Sequence, residues 1–249
     1  MNGFRPTRFQ ILPPVIKNLI IINALVFFAQ LTLPRMLHVD IDQMFALHYW
    51  GSPLFHWYQF ITHMFMHGSF EHIFFNMFAL WMFGSILENV WGPRRFLSFY
   101  LICGIGAAFF YMLTLTWRFH HILQETGITE EQVQNWWYLY THHISGTFAM
   151  LPDKIQEIWI VPTLGASGAI FGVLVAFGYM FPNSMIYIYF FFPLKAKYFV
   201  TIYILIELFL GIQNSAGDNV AHFAHLGGAL VGFVLMKAWD RHHHTPYDY

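Results

Sequence analysis

Gly165-Ala166-Ser167-Gly168-Ala169-Ile170-Phe171-Gly172 follows Pro162 and opens an apolar run that reaches Phe181. A serine between glycines at the first turn of a membrane-length helix is an unusual place for a hydroxyl. The glycines let a second backbone come close. The unpaired N–H groups of the first turn, with the positive end of the helix dipole, favour an anion beside the serine. Those are the requirements of a nucleophile with part of an oxyanion hole. The same small residues also suit plain helix packing, so the rest of the chain has to decide.

Outward from that stretch the chain is apolar. Of its 249 residues 57% are hydrophobic, 20% aromatic and 10% charged, against about 25% charged in soluble domains. Apolar runs at 15–33, within 61–87, and at 96–117, 165–181, 198–212 and 220–239 lie near the ~20 residues that cross a bilayer. The expected fold is therefore all-α, a six-transmembrane-helix bundle over 15–239, between a polar segment at 1–14 and a tail at 240–249. The first run follows Arg5 and Arg8. It is too long for a signal peptide and no small-residue cleavage pattern follows, so it reads as a retained helix. Residues 34–59 carry many aromatics (Tyr49, Trp50, Trp57) and are expected to sit partly in the membrane interface. Residues 118–161 form a hydrophilic outer insertion, in which Thr129 and Gln132 make a capping box ahead of Trp136 and Trp137. The 198–212 run is short, so Lys195 and Lys197 are expected to snorkel.

Charge sets orientation and excludes some partners. Nine of the twelve lysines and arginines (Arg5, Arg8, Lys17, Arg94, Arg95, Lys195, Lys197, Lys237 and Arg241) fall on the side that holds both termini. By the positive-inside rule that side is cytoplasmic, which puts Ser167 near the outer end of the fourth helix. A bacterial inner membrane is the expected location. The formal net charge of −1 and the lack of a basic amphipathic patch argue against nucleic acid. Cys103 is the single cysteine, so no internal disulfide forms, and a lone thiol inside an apolar run reads as core filling. The adjacent His242, His243 and His244 have no metal site around them, and Asp218 reads as a solvated loop acid.

Polar groups in hydrocarbon are costly and usually functional. His72 and Asn76 are i, i+4 and so share a face that can point at one neighbouring helix. His222 stands near the outer start of the last run, above Gly227, Gly228 and Gly232, which allow close approach to the glycines of the Ser167 helix. A histidine at that depth can hydrogen-bond Ser167 as its base. Counting from the helix starts, His222 matches Ser167 in depth, and His225 is about 4.5 Å deeper at 1.5 Å per residue. His225 shares a face with Gly228 and Gly232, where a packing hydrogen bond is expected.

Gly165-Ala166-Ser167-Gly168 and Ala221-His222 resemble the motifs of the rhomboid intramembrane serine proteases. So do His67-Gly-Ser-Phe-Glu-His72-Ile-Phe-Phe-Asn76 and the later Gly84-x3-Glu88-x3-Gly92. The resemblance implies Ser167 as nucleophile and His222, directly after Ala221, as base, a dyad needing no carboxylate. It implies the His72 and Asn76 side chains and the Ser167 N–H as oxyanion donors. His67 and Glu88 are implied to be structural, pinning the outer loop and the inner helix end, and Gly165 and Gly168 belong to the same motif. It further implies a wet outer cavity, transmembrane protein substrates that unwind locally in the bilayer, and no cofactor. Tyr58-Gln59 departs from the Trp-Arg of many relatives, and Phe171 stands where some have tyrosine on the catalytic ring. A non-catalytic binder of membrane clients would normally lack the serine or the histidine. A metal transporter using His63, His67, His222 and His225 would need a carboxylate among them; Glu207 is the one acid well inside a span and joins neither pair in this reading.

Overall fold

The computed structural model describes residues 9–143, 151–188, 191–213 and 221–242; Arg5, Arg8, Asp218, His243 and His244 fall outside them. The protein is a helical membrane bundle. Four stretches are long and apolar enough to cross a bilayer: α1 (Pro14–Leu37), Phe70–Trp91, α6 (Pro93–Thr126) and α10 (Ala196–Gln213). The other two expected spans are α9 (Ser167–Met180), of 14 residues, and α11 (His222–His242), which packs on α9 and α6. Residues 168–178 of α9 are all buried, so this helix is the axis of the bundle.

Close approach is written in the glycines. A Cβ on Gly228 would overlap the carbonyl of Gly168, and one on Gly232 would lie 2.7 Å from the Cα of Gly172. Nothing larger fits between α9 and α11 there.

Before the second span lie α2 (Ile41–Phe45), α3 (Gln59–Thr62) and a 3₁₀ turn, His63–Phe65. The span itself starts later than expected. Ser69 ends the loop and accepts from His72 N–H at 3.1 Å, capping α4 (Phe70–Ala79). Residues 61–69 are thus outside the long helix, and His63 and His67 belong to the approach to it. A π turn, Leu80–Gly84, then leads into α5 (Ser85–Trp91). Glu88 on α5 accepts the N–H groups of Val15 and Ile16, both at 2.9 Å, so a buried carboxylate meets the positive end of α1. In the first loop the buried Gln59 side chain accepts from the N–H groups of His48 and His56 and donates to the carbonyls of Met44 and Leu54. A neutral amide therefore braces that loop from both directions.

The described residues of the insertion are packed against the bundle. α6 runs unbroken to Thr126, past the expected end at 117, and α7 (Glu130–Thr141) opens with the expected capping box. Trp136 of α7 and Ile155 and Trp159 of α8 (Asp153–Ile160) form a second core with Leu47, Met112 and Phe119. A two-stranded antiparallel hairpin, β1 (Met185–Ile188) and β2 (Phe192–Lys195), joins α9 to α10 and was not expected from the sequence.

Candidate active site

Ser167 sits at the first residue of α9 because Gly165 turns the chain there. The Gly165 φ of +125° lies in a region that side chains avoid, and a Cβ would sit 2.8 Å from the His72 ring. Gly165 N–H donates to the His63 carbonyl at 2.9 Å, and Leu47 and Thr163 exchange backbone hydrogen bonds of 2.8 Å, fixing the approach. A helix of 14 residues spans about 21 Å, less than the ~30 Å of hydrocarbon.

The Ser167 hydroxyl faces a histidine. His225 Nε2 lies 2.8 Å from Ser167 Oγ. Phe171, one turn along α9, stacks on the His225 ring at 4.5 Å and 10°. Tyr203 of α10 packs on Phe171 at 4.9 Å. On its other edge His225 Nδ1 lies 2.8 Å from Glu207 Oε2, and His222 Nδ1 lies 2.7 Å from that same oxygen. An ionised carboxylate only accepts, so each Nδ1 carries the proton and His225 Nε2 is left as an acceptor toward the serine.

This corrects the expected pairing. His225, not His222, is the ring brought to Ser167. A Cβ on Gly168 would lie 3.6 Å from the Ala224 carbonyl, which sets Ser167 level with His225. α11 begins about a turn farther out than α9 does, so matching the helix starts selects a ring one turn too shallow. His222 faces α10 instead; a Cβ on Gly211 would lie 3.2 Å from its own. Ala221 is the helix start, its carbonyl accepting from the N–H groups of Ala224 and His225. Both histidines follow an alanine (Ala221 and Ala224), so that signal does not separate them. The glycine register, Gly168 on Gly228 and Gly172 on Gly232, does separate them and is legible in the sequence.

Glu207 is the second correction. No carboxylate was expected beside the histidines, yet Glu207 joins two of them. The signal was there: one acid in a helix whose neighbours Leu205, Ile206, Leu208 and Phe209 are all exposed toward lipid. Among the described residues Glu207, His222 and His225 also bring three ligand-type atoms within 4.8 Å. His63 and His67 stand apart from them: His63 Nδ1 lies 2.7 Å from the Gln59 carbonyl, and the His67 ring is edge-on to His72 at 5.1 Å. The His67 backbone is held to α1 through both its N–H and its carbonyl by Gln30.

A cavity of about 870 Å³ opens over Ser167 and His225. His72 and Asn76, a turn apart on α4, line it, and Arg118 and Glu157 line it farther out, so α6 and the insertion supply part of its wall. Asn76 Nδ2 is buried and has no hydrogen-bond partner among the described residues. A hydroxyl bonded to an imidazole, beside a helix N-terminus and such a donor, is equipped for acyl transfer.

The rhomboid domain matches residues 54–239. RHOMBOID-like protein 12, mitochondrial, of Arabidopsis thaliana is 28% identical over 227 residues, covering 91% of this chain and 58% of that protein. Rhomboid protein 1, mitochondrial, of Saccharomyces cerevisiae is 30% identical, covering 70% of this chain and 39% of that protein. Rhomboid protease AarA of Providencia stuartii is 26% identical, covering 89% and 71%. The chain thus spans little more than half, or less, of the two mitochondrial relatives. With mitochondrial and bacterial proteins both among its relatives, the expected bacterial inner membrane is not supported.

Proposed function

The chain belongs to the rhomboid family, and we propose that it is an intramembrane serine protease in which Ser167 is the nucleophile and His225 the base. The observation that carries this is the 2.8 Å contact between Ser167 Oγ and His225 Nε2, on a ring fixed by Phe171 and Glu207. His225 takes the hydroxyl proton as Oγ attacks a peptide carbonyl, then gives it to the departing amine. Water enters the acyl-enzyme by the same route in reverse and frees the serine. The oxyanion is met by the Ser167 N–H and by Asn76 and His72 from the facing helix. The unpartnered Asn76 Nδ2 favours that role, since a buried donor without an acceptor is costly unless a ligand supplies one.

The substrate is a transmembrane segment that unwinds at the cut, because a hydrogen-bonded helix hides its carbonyls from attack. A non-catalytic client binder is the alternative reading. Purified protein treated with a fluorophosphonate decides between them. Labelling at Ser167, lost in Ser167→Ala together with cleavage of a transmembrane peptide, is the expected result. A folded protein whose Ser167 does not react, or a Ser167→Ala protein that still cleaves, would remove the protease.

A further inference from the structure

Glu207 has no part in a serine–histidine dyad, yet α10 sends it, 5% exposed, into the centre of the site. Resting on the protease reading above, we infer that Glu207 is a positioning residue that turns the pair into a Ser167–His225–Glu207 triad, with His222 as the second tether of its carboxylate. A charge inside a membrane helix persists only when it is paired and hydrogen-bonded. Here one oxygen, Oε2, accepts from two ring N–H groups, 2.7 Å from His222 Nδ1 and 2.8 Å from His225 Nδ1.

The geometry assigns the consequences. Protonation of His225 at Nδ1 leaves Nε2 facing Ser167, the tautomer that a base requires. When the serine proton moves to Nε2, the imidazolium lies against the carboxylate, which stabilises it as the acyl-enzyme forms. His222 stands at right angles to His225, ring centroids 6.4 Å apart, and fixes the carboxylate from the other direction. α10 braces the same ring a second time, through Tyr203 on Phe171. The base is thus oriented by a helix that carries neither the serine nor the base.

The test uses the full-length chain in detergent micelles with a fluorogenic transmembrane peptide. Glu207→Gln is expected to lower kcat by at least about 10²-fold, KM staying within about twofold, with Glu207→Asp recovering part of the loss. In the parent labelled with ¹⁵N-histidine, the His225 resonance, identified by its absence in His225→Asn, is expected to show Nδ1 protonated and Nε2 bare. The tautomer is read in the parent, so it stands even where the Glu207 variants fail to fold or the peptide is not cut. A parent that neither cleaves nor labels at Ser167 counts against the protease reading. A His225 protonated at Nε2, a folded Glu207→Gln protein with parental kcat, or one zinc per chain bound through Glu207 counts against the triad.

Discussion

At the scale of single residues the site makes a choice between two rings. His225→Ala removes the acceptor 2.8 Å from Ser167 Oγ. Cleavage should fall by at least about 10⁴-fold, as loss of a catalytic histidine does elsewhere. His222→Ala leaves that acceptor in place and loosens only the carboxylate behind it, so cleavage should persist at reduced kcat. Assay of the two purified variants checks both; a dead, folded His222→Ala with an active His225→Ala would reverse the assignment. Asn76→Ala, which deletes one oxyanion donor, should lower kcat on the order of 10²-fold without unfolding the protein. Unchanged turnover in that variant would take Asn76 out of the mechanism. Ser167, His72 and Asn76 are legible as polar groups stranded in apolar runs, and Glu88 through its glycine-spaced motif. His225 was misjudged because its glycine-lined face read as packing, when that face is the one turned toward Ser167. Glu207 is visible in the sequence as an isolated acid but its partners are not, since which helices α10 touches is not encoded in its own periodicity.

Among the elements, the α9–α11 contact sets the Ser167–His225 distance. α11 meets α9 at glycine on glycine, and a Cβ on Gly228 overlaps the Gly168 carbonyl. The two backbones have no flexible side chain between them to absorb it. Gly228→Ala must therefore push α11 away, and His225 rides on α11 one turn above. A displacement near 1 Å at a reacting pair costs on the order of 10²-fold in rate. Gly228→Ala should lower kcat by about that factor while labelling of Ser167 slows in parallel, which kinetics with peptide and probe will measure. A variant of parental rate would mean that α11 is free to slide without disturbing His225. Apolar run lengths revealed the spans, but their boundaries moved wherever a cap or a continued helix intervened. Ser69 starts α4 well inside the run that began at 61, and α6 ignores the polar residues after 117 because Leu123 and Phe119 still pack against the insertion. The 185–195 hairpin lacked a turn signature strong enough to be read.

For the whole molecule, the placement of charge relative to the site predicts the orientation. Arg94 and Arg95 begin α6, while Glu130 and Glu131 begin α7 beyond its far end, 34 residues of α6 apart. At 1.5 Å per residue that helix is about 50 Å long, more than the ~40–45 Å of a bilayer with its headgroups. Its two ends are therefore on opposite sides. The excess of lysine and arginine lies with Arg94, so the positive-inside rule predicts the insertion, the cavity mouth and Ser167 on the side opposite Arg94. Arg94→Cys and Glu131→Cys test this in sealed cells treated with an impermeant maleimide. Both positions are exposed, and the native Cys103 is buried and gives little background. Glu131→Cys should label in intact cells and Arg94→Cys only after permeabilisation. The opposite pattern would turn the molecule over and open the cavity toward the cell interior.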